Sequence, residues 1–218
     1  MKKIGVILSG CGVNDGSEIH EATLTLLFLD KAGVEAVCFA PNTDQFDLID
    51  HLTGKEIKGK KRNALVESAR IARGEINDLS QMKSSEIDGI IFPGGFGAAK
   101  NLCNFAVKGI DCVVNPEVEK IMQEMHRDNK PMGFICIAPV LAAKVFGKYQ
   151  PKLTIGNDPE TANQIEAMGG KHIVCEVGDM VVDNASKIVS TPAYMLGPTI
   201  SKIAGGIEKL VEKVVALA

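Results

Sequence analysis

Short apolar runs, each closed by glycine, proline or cysteine and each followed by sequence that suits a helix, recur along this chain. Residues 3–9 carry Ile4, Val6, Ile7 and Leu8 and end in Gly10-Cys-Gly12; residues 34–40 are closed by Pro41; residues 88–92 run into Pro93-Gly-Gly-Phe-Gly97; residues 131–135 end on Cys136. Such runs suit strands buried on both faces. Between them, Asp15-Gly-Ser-Glu18 reads as an acidic cap opening a helix to about Lys31, residues 63–72 read as a helix, and Asn115-Pro116 caps another to about Asn129. Residues 42–61 are polar and irregular. Further on, strands are predicted over residues 153–155, 172–175, 180–182 and 187–190, the last two a hairpin turning at Asp183-Asn184. Helices are predicted over residues 161–168 and from Pro198 to 217. Strands joined through helices require crossover connections, hence a mostly parallel sheet covered on both faces. The class is α/β, read as one domain over residues 1–218.

In such a sheet ligands bind beyond the carboxyl ends of the strands, where strand order reverses. Three turns belong at such ends: Ser9-Gly-Cys-Gly12, Pro93-Gly-Gly-Phe-Gly97 and Ile135-Cys136-Ile137. The third puts a cysteine at a strand-to-helix turn, where a helix N-terminus lowers a thiol pKa and exposes a nucleophile. On that reading the sulfur is ionised near neutrality; on the other, Cys136 is one more small buried apolar residue. The glycines of the second turn either aim backbone N–H groups at a developing oxyanion or simply permit a tight turn. Neither glycine loop has dinucleotide-fingerprint spacing, and no Walker lysine follows either one.

The first helix supplies a possible partner. Residues 22–29 are apolar nearly all round, so both faces are expected to be buried, and Glu21 lies at the edge of that run beside Leu24, Thr25 and Phe28. A carboxyl among apolar groups has a raised pKa and can hold and shuttle a proton. The alternative is a surface charge favoured by the helix dipole, a description that fits Glu18 better. His20 points about 100° away from Glu21 and ranks second.

The balance of charge, -3 over 218 residues, gives no reason to expect nucleic acid or an anionic membrane as partner. The basic run Lys58-Gly-Lys-Lys-Arg62 reads as an exposed loop, and no apolar run nears the about 20 residues that span a bilayer. The first residues lead straight into a strand, from which a cytoplasmic protein is expected. Six scattered cysteines (Cys11, Cys38, Cys103, Cys112, Cys136, Cys175) suit free thiols. The histidines do not cluster at ligand spacing, so no metal is expected.

Gly16-Ser-Glu-Ile-His-Glu21, Pro93-Gly-Gly-Phe-Gly97 and Ile135-Cys136-Ile-Ala-Pro139 occur in the order seen in the PfpI/ThiJ superfamily of class I glutamine-amidotransferase-like proteins, which this chain resembles over essentially its whole length. Ile4-Gly-Val-Ile-Leu-Ser-Gly-Cys-Gly12, Phe96-Gly-Ala-Ala-Lys-Asn-Leu102 and Thr191-Pro-Ala-Tyr-Met195 are similar to its ElbB-type glyoxalase branch. The resemblance implies a flavodoxin-like three-layer α/β sandwich and a homodimer. It also implies a nucleophile at Cys136, a partner acid at Glu21, and oxyanion donors at Gly94 or Gly95 and at Ile137. The branch is associated with lyase conversion of glyoxal to glycolate without glutathione or any cofactor, and with isoprenoid biosynthesis. Two rival readings are removal of early glyoxal adducts from protein or nucleotide amines, and a non-enzymatic redox sensor at Cys136. Many superfamily members place a histidine directly after the nucleophile or about twenty residues on. Here Ile137 follows, and the later window reads Leu153-Thr-Ile-Gly-Asn157, so a Cys–Glu dyad replaces an amide-cleaving triad. Cys11 is a competing thiol near the same crevice, and Asn101 and Tyr194 are candidate pocket residues by resemblance.

Overall fold

The computed structural model describes residues 1–197 and 199–218. The first half runs β1 (Lys3–Ile7), α1 (Ile19–Lys31), β2 (Glu35–Ala40), β3 (Ile49–Asp50), β4 (Lys55–Glu56), α2 (Ala64–Ile71), β5 (Ile76–Asp78), β6 (Gly89–Phe92), α3 (Phe96–Lys100) and α4 (Phe105–Lys108). The second half runs α5 (Pro116–Arg127), β7 (Met132–Ile135), α6 (Pro139–Phe146), β8 (Lys152–Leu153), α7 (Pro159–Ala167), β9 (Lys171–His172), β10 (Val181–Asp183), β11 (Ile188–Thr191) and α8 (Ile200–Leu217). The expected start of the last helix at Pro198 lies outside the described residues.

Seven strands form one sheet in the order β5-β2-β1-β6-β7-β11-β10, and every neighbouring pair is parallel except the edge pair β10–β11. This is the flavodoxin-like arrangement. Successive strand residues feed two cores. Ile4 and Val6 of β1, Ile91 of β6 and Val189 of β11 pack with Phe28 and Leu29 of α1 and Ile207 and Leu210 of α8. Ile90 and Phe92 of β6 and Phe134 of β7 pack with Leu102, Val118, Met122 and Leu141 on the other side. Phe92 and Phe134 are register partners, their rings stacked 5.0 Å apart and within 2° of parallel. Gly133 of β7 lets α8 approach: a Cβ there would meet Leu210 Cδ2 at 2.8 Å.

Caps explain where the helices begin. Asn63 caps its helix by accepting from Val66 N–H, and Asn115, the expected cap, accepts from Glu117 and Val118 N–H. For α1 the cap is Glu18, whose carboxylate accepts from Glu21 N–H, and not Asp15. That helix buries one face rather than two, since Leu27 is 44% exposed and Thr23 faces solvent. The polar edge strand β5 was not expected. The segments predicted at 153–155 and 172–175 shrink to the two-residue parallel pair β8–β9, outside the main sheet. The predicted hairpin is there, with Val182 opposite Val189. Among the described residues no helix is long and apolar enough to cross a membrane.

Candidate functional site

Strand order reverses between β1 and β6, and the turns after β1, β6 and β7 converge there. Phe96 N–H donates to Val13 O at 2.7 Å, Gly97 N–H to Gly16 O at 2.9 Å and Glu18 N–H to Gly94 O at 2.9 Å, which ties the first two turns together. Gly94 joins them to the third, because a Cβ on it would lie 2.5 Å from Cys136 Cβ and 2.6 Å from Glu21 Oε2. No other residue fits at that position.

Cys136 sits between β7 and α6 with φ 62°, a left-handed conformation that a branched or bulky residue adopts only under strain. Its N–H donates to Thr191 O at 3.0 Å, and its side chain is 7% exposed. The N–H groups of Gly95 and Ile137 favour its thiolate, and the Glu21 carboxyl lies beside its thiol. Glu21 is fully buried; Gly94 N–H donates to its Oε2 at 2.9 Å and Tyr194 N–H to its Oε1 at 3.2 Å. The two donors that the resemblance left open therefore separate: Gly94 N–H is committed to Glu21, while Gly95 N–H faces the sulfur.

Electrostatics splits the expectation for this pair. Burial, reinforced by the Glu18 carboxylate, pushes Glu21 from 4.5 up to about 8, against the hydrogen bonds from Tyr194, Gly94 and Cys136. The raised acid was foreseen. The expectation of a thiolate at Cys136 is overturned: burial first, then the Glu21 charge, push Cys136 well above 9.0, and the N–H groups of Gly95 and Ile137 only partly offset this. At a nearly dry position the loss of hydration outweighs two amide dipoles, so the resting sulfur keeps its proton. Near neutral pH the acid is mostly protonated too, and the pair loses its first proton around pH 8.

The remaining candidates are placed differently. His20 does not reach the sulfur; its Nδ1 lies 2.8 Å from Tyr194 Oη and 3.9 Å from Glu18 Oε1. Asn101 is a clamp rather than a pocket residue, since its Nδ2 donates to Ser9 O and Asp15 O at 2.8 and 2.9 Å while its Oδ1 accepts from Phe46 N–H at 2.9 Å. Cys11 has its pKa raised by burial, with the charges of Arg70, Glu67 and Asp15 also acting on it. Glu18 and Thr191 went unforeseen, and Tyr194, a candidate by resemblance, contributes through its backbone N–H. Glu18 reads as a surface charge yet is buried as the α1 cap, 2.7 Å from Glu21 N–H. Thr191 and Tyr194 act through backbone atoms, which no side-chain pattern marks. Ala193 between them has φ 43°.

A parallel sheet reversing at a strained cysteine elbow, with a buried acid on the first helix, defines the class of cysteine-elbow α/β sandwiches. The chain belongs to the glutamine amidotransferase-like class 1 family. It is 48% identical to the human mitochondrial glutamine amidotransferase-like class 1 domain-containing protein 3 over 224 aligned residues, 99% of this chain and 83% of that protein. It is 35% identical to the mitochondrial ES1 protein of Danio rerio, over 88% of this chain and 76% of that one. Among solved structures, an isoprenoid biosynthesis protein with an amidotransferase-like domain from Ehrlichia chaffeensis superposes with TM-score 0.93 at 36% identity, covering 100% of this chain and 99% of the other. A Schizosaccharomyces pombe DJ-1 variant shares the fold alone, with TM-score 0.59 at 19% identity over 100% of this chain and 96% of that one. No family model matches the chain. The human, rat and zebrafish relatives are all named as mitochondrial, which overturns the expectation of a cytoplasmic protein. That expectation rested on an amino-terminal strand. The strand is there as β1, but it says where the fold starts and nothing about compartment.

Proposed function

We propose that this chain is a cofactor-independent glyoxalase of the ElbB type, converting glyoxal and water to glycolate. The observation that carries the reading is the juxtaposition of the Glu21 carboxyl and Cys136 at Gly94, in a site where the N–H groups of Gly95 and Ile137 favour the thiolate. In the singly ionised pair, Glu21 takes the thiol proton as sulfur bonds to one aldehyde carbon, and the resulting oxyanion is held by Gly95 and Ile137 N–H. Glu21 returns that proton to give a neutral hemithioacetal. It then removes the hydrogen from the same carbon as the aldehyde oxygen gains a proton, giving an enediol, and delivers it to the neighbouring carbon as the hemithioacetal hydroxyl loses its own proton, leaving a glycolyl thioester on Cys136. Water hydrolyses the thioester and frees the thiol. Oxidation of one carbon balances reduction of the other, so no external oxidant or reductant is needed.

The geometry favours this over the two rival readings. A thiol only 7% exposed, with Gly94 pressed against its Cβ, has room for a small free dicarbonyl more readily than for an adduct on a protein amine. A thiol whose pKa burial raises is a poor peroxide sensor. Glycolate formation by the pure protein is the test, with Cys136→Ser expected to abolish it and Glu21→Gln to reduce it severely. Unchanged rates in either variant remove that residue from the scheme.

A further inference from the structure

A second cysteine pair lies away from the Cys136 site. The chain doubles back between Leu102 and Asn115: Asn104 N–H donates to Val113 O at 3.2 Å, Asn115 N–H to Leu102 O at 2.9 Å, and Val113 N–H to Asn104 Oδ1 at 2.7 Å. This antiparallel bridge sets Cys103 opposite Val114. Cys112 lies two residues from Val114 on the returning segment, which brings its thiol near enough to that of Cys103 for each to act on the other's titration. Both are buried, with Cys103 Sγ 3.4 Å from Ala98 O and Cys112 Sγ 4.0 Å from Met168 Sδ. Cys112 forms part of the wall of a surface cavity of about 370 Å³, together with Asp111, Val114, Glu119 and Lys144. A small reagent entering that cavity meets Cys112 before Cys103.

We propose that Cys103 and Cys112 form a dithiol site that reacts with hydroperoxides and closes to an intramolecular disulfide. Cys112 is the attacking sulfur. Its thiolate displaces the peroxide O–O bond, giving Cys112 sulfenic acid and an alkoxide or hydroxide that takes a proton from water. The Cys103 sulfur then attacks the sulfenic sulfur, the S–O bond breaks, and hydroxide leaves with the Cys103 proton as water. Two thiols lose two electrons between them, and the hydroperoxide is reduced to an alcohol or water.

The electrostatics runs in the same direction as the geometry. The neighbouring Cys103 thiol, helped by the Lys144 ammonium, lowers the Cys112 pKa against burial and Asp111. The same contact, with burial, pushes Cys103 far up, so the proton stays on the deeper sulfur. Cys38 and Cys175 are pushed up to about 11, and Cys11 and Cys136 are raised as well. Of the six cysteines, Cys112 alone is eased toward its thiolate.

Lys108 lies between the two cysteines, so trypsin puts them on separate peptides, residues 101–108 and 109–120. Wild-type protein treated with graded hydrogen peroxide, alkylated and digested is expected to yield these two peptides joined, with loss of two hydrogen atoms, before any other cysteine changes. Cys103→Ser should carry Cys112 on to sulfinic acid, and Cys112→Ser should leave Cys103 fully alkylated. If both peptides of the wild type stay separately alkylated while another cysteine oxidises first, the proposal is overturned. Oxidation of Cys103 in Cys112→Ser at the peroxide dose that joins the wild-type peptides overturns it equally.

Discussion

Cys136 and Cys112 are both buried, both set beside a second titratable side chain, and shifted in opposite directions. Cys136 has an acid as its partner, and the charge of Glu21 adds to the cost of burial. Cys112 has a thiol as its partner, which donates a proton and brings no charge, and a lysine lies nearby. What a partner does to a buried thiol therefore depends on which of the two gives up its proton first. Hydrogen bonding alone does not fix the sign. The Cys136 pair is suited to moving protons within a bound molecule, whereas the Cys112 pair is suited to losing electrons.

The largest test of this contrast is Glu21→Gln. Loss of a positioned acid–base group costs roughly 10²- to 10⁴-fold in rate, and the glycolate assay should register a fall of that size. The same variant should make the Cys136 thiol easier to ionise, because the opposing charge is gone. Slower alkylation of Cys136 in the variant than in the wild type would break the comparison. In the wild type the glyoxalase rate should climb with pH through about 8, where the pair gives up its first proton.

Stability should follow the same group. Glu21 has a folded pKa of about 8 against an ordinary 4.5, so the folded state binds the proton more tightly. That contribution is complete below about pH 4.5 and is lost as pH rises through 8. At about 1.4 kcal/mol per pKa unit the loss is on the order of 4–5 kcal/mol. Urea denaturation at pH 5 and pH 9 measures it, and Glu21→Gln should flatten the difference.

Smaller effects sharpen the other half. Cys103→Ala removes the donor to Cys112, and the pH midpoint for Cys112 alkylation should move up from about 7 by roughly a unit or more. Lys144→Met removes a charge acting from the cavity rim and should move it in the same direction by a few tenths of a unit, roughly the effect of a partly solvated charge. A downward shift in either variant would mean that the contact between the two thiols does not favour the Cys112 thiolate.

Most of the sheet was legible because buried parallel strands are nearly continuous apolar runs, as in Ile4–Leu8 and Ile90–Phe92. The edge strand β5 escaped because Ile76-Asn-Asp78 is polar and pairs on one side only. The exposed Leu27 misled because one apolar residue on a solvent face is common and leaves no mark in a local pattern. At the site, the residue types Cys136, Glu21 and Gly94 could be named from motif and turn chemistry, and the structure brings them together. The charge state of the sulfur could not, since it depends on depth and on Glu18, a residue whose sequence position suggested solvent. The Cys103–Cys112 contact was equally hidden, because backbone pairing across a loop makes it and no cysteine spacing announces it.

Residues 191–194 touch both members of the Cys136 pair. Thr191 O receives the cysteine N–H, and Tyr194 N–H holds the glutamate. One short piece of chain thus acts as a gauge block between sulfur and carboxyl, and a disturbance there displaces the two as a linked assembly. The spacing on which proton transfer depends is set by three peptide bonds, whose dimensions are among the stiffest in the molecule.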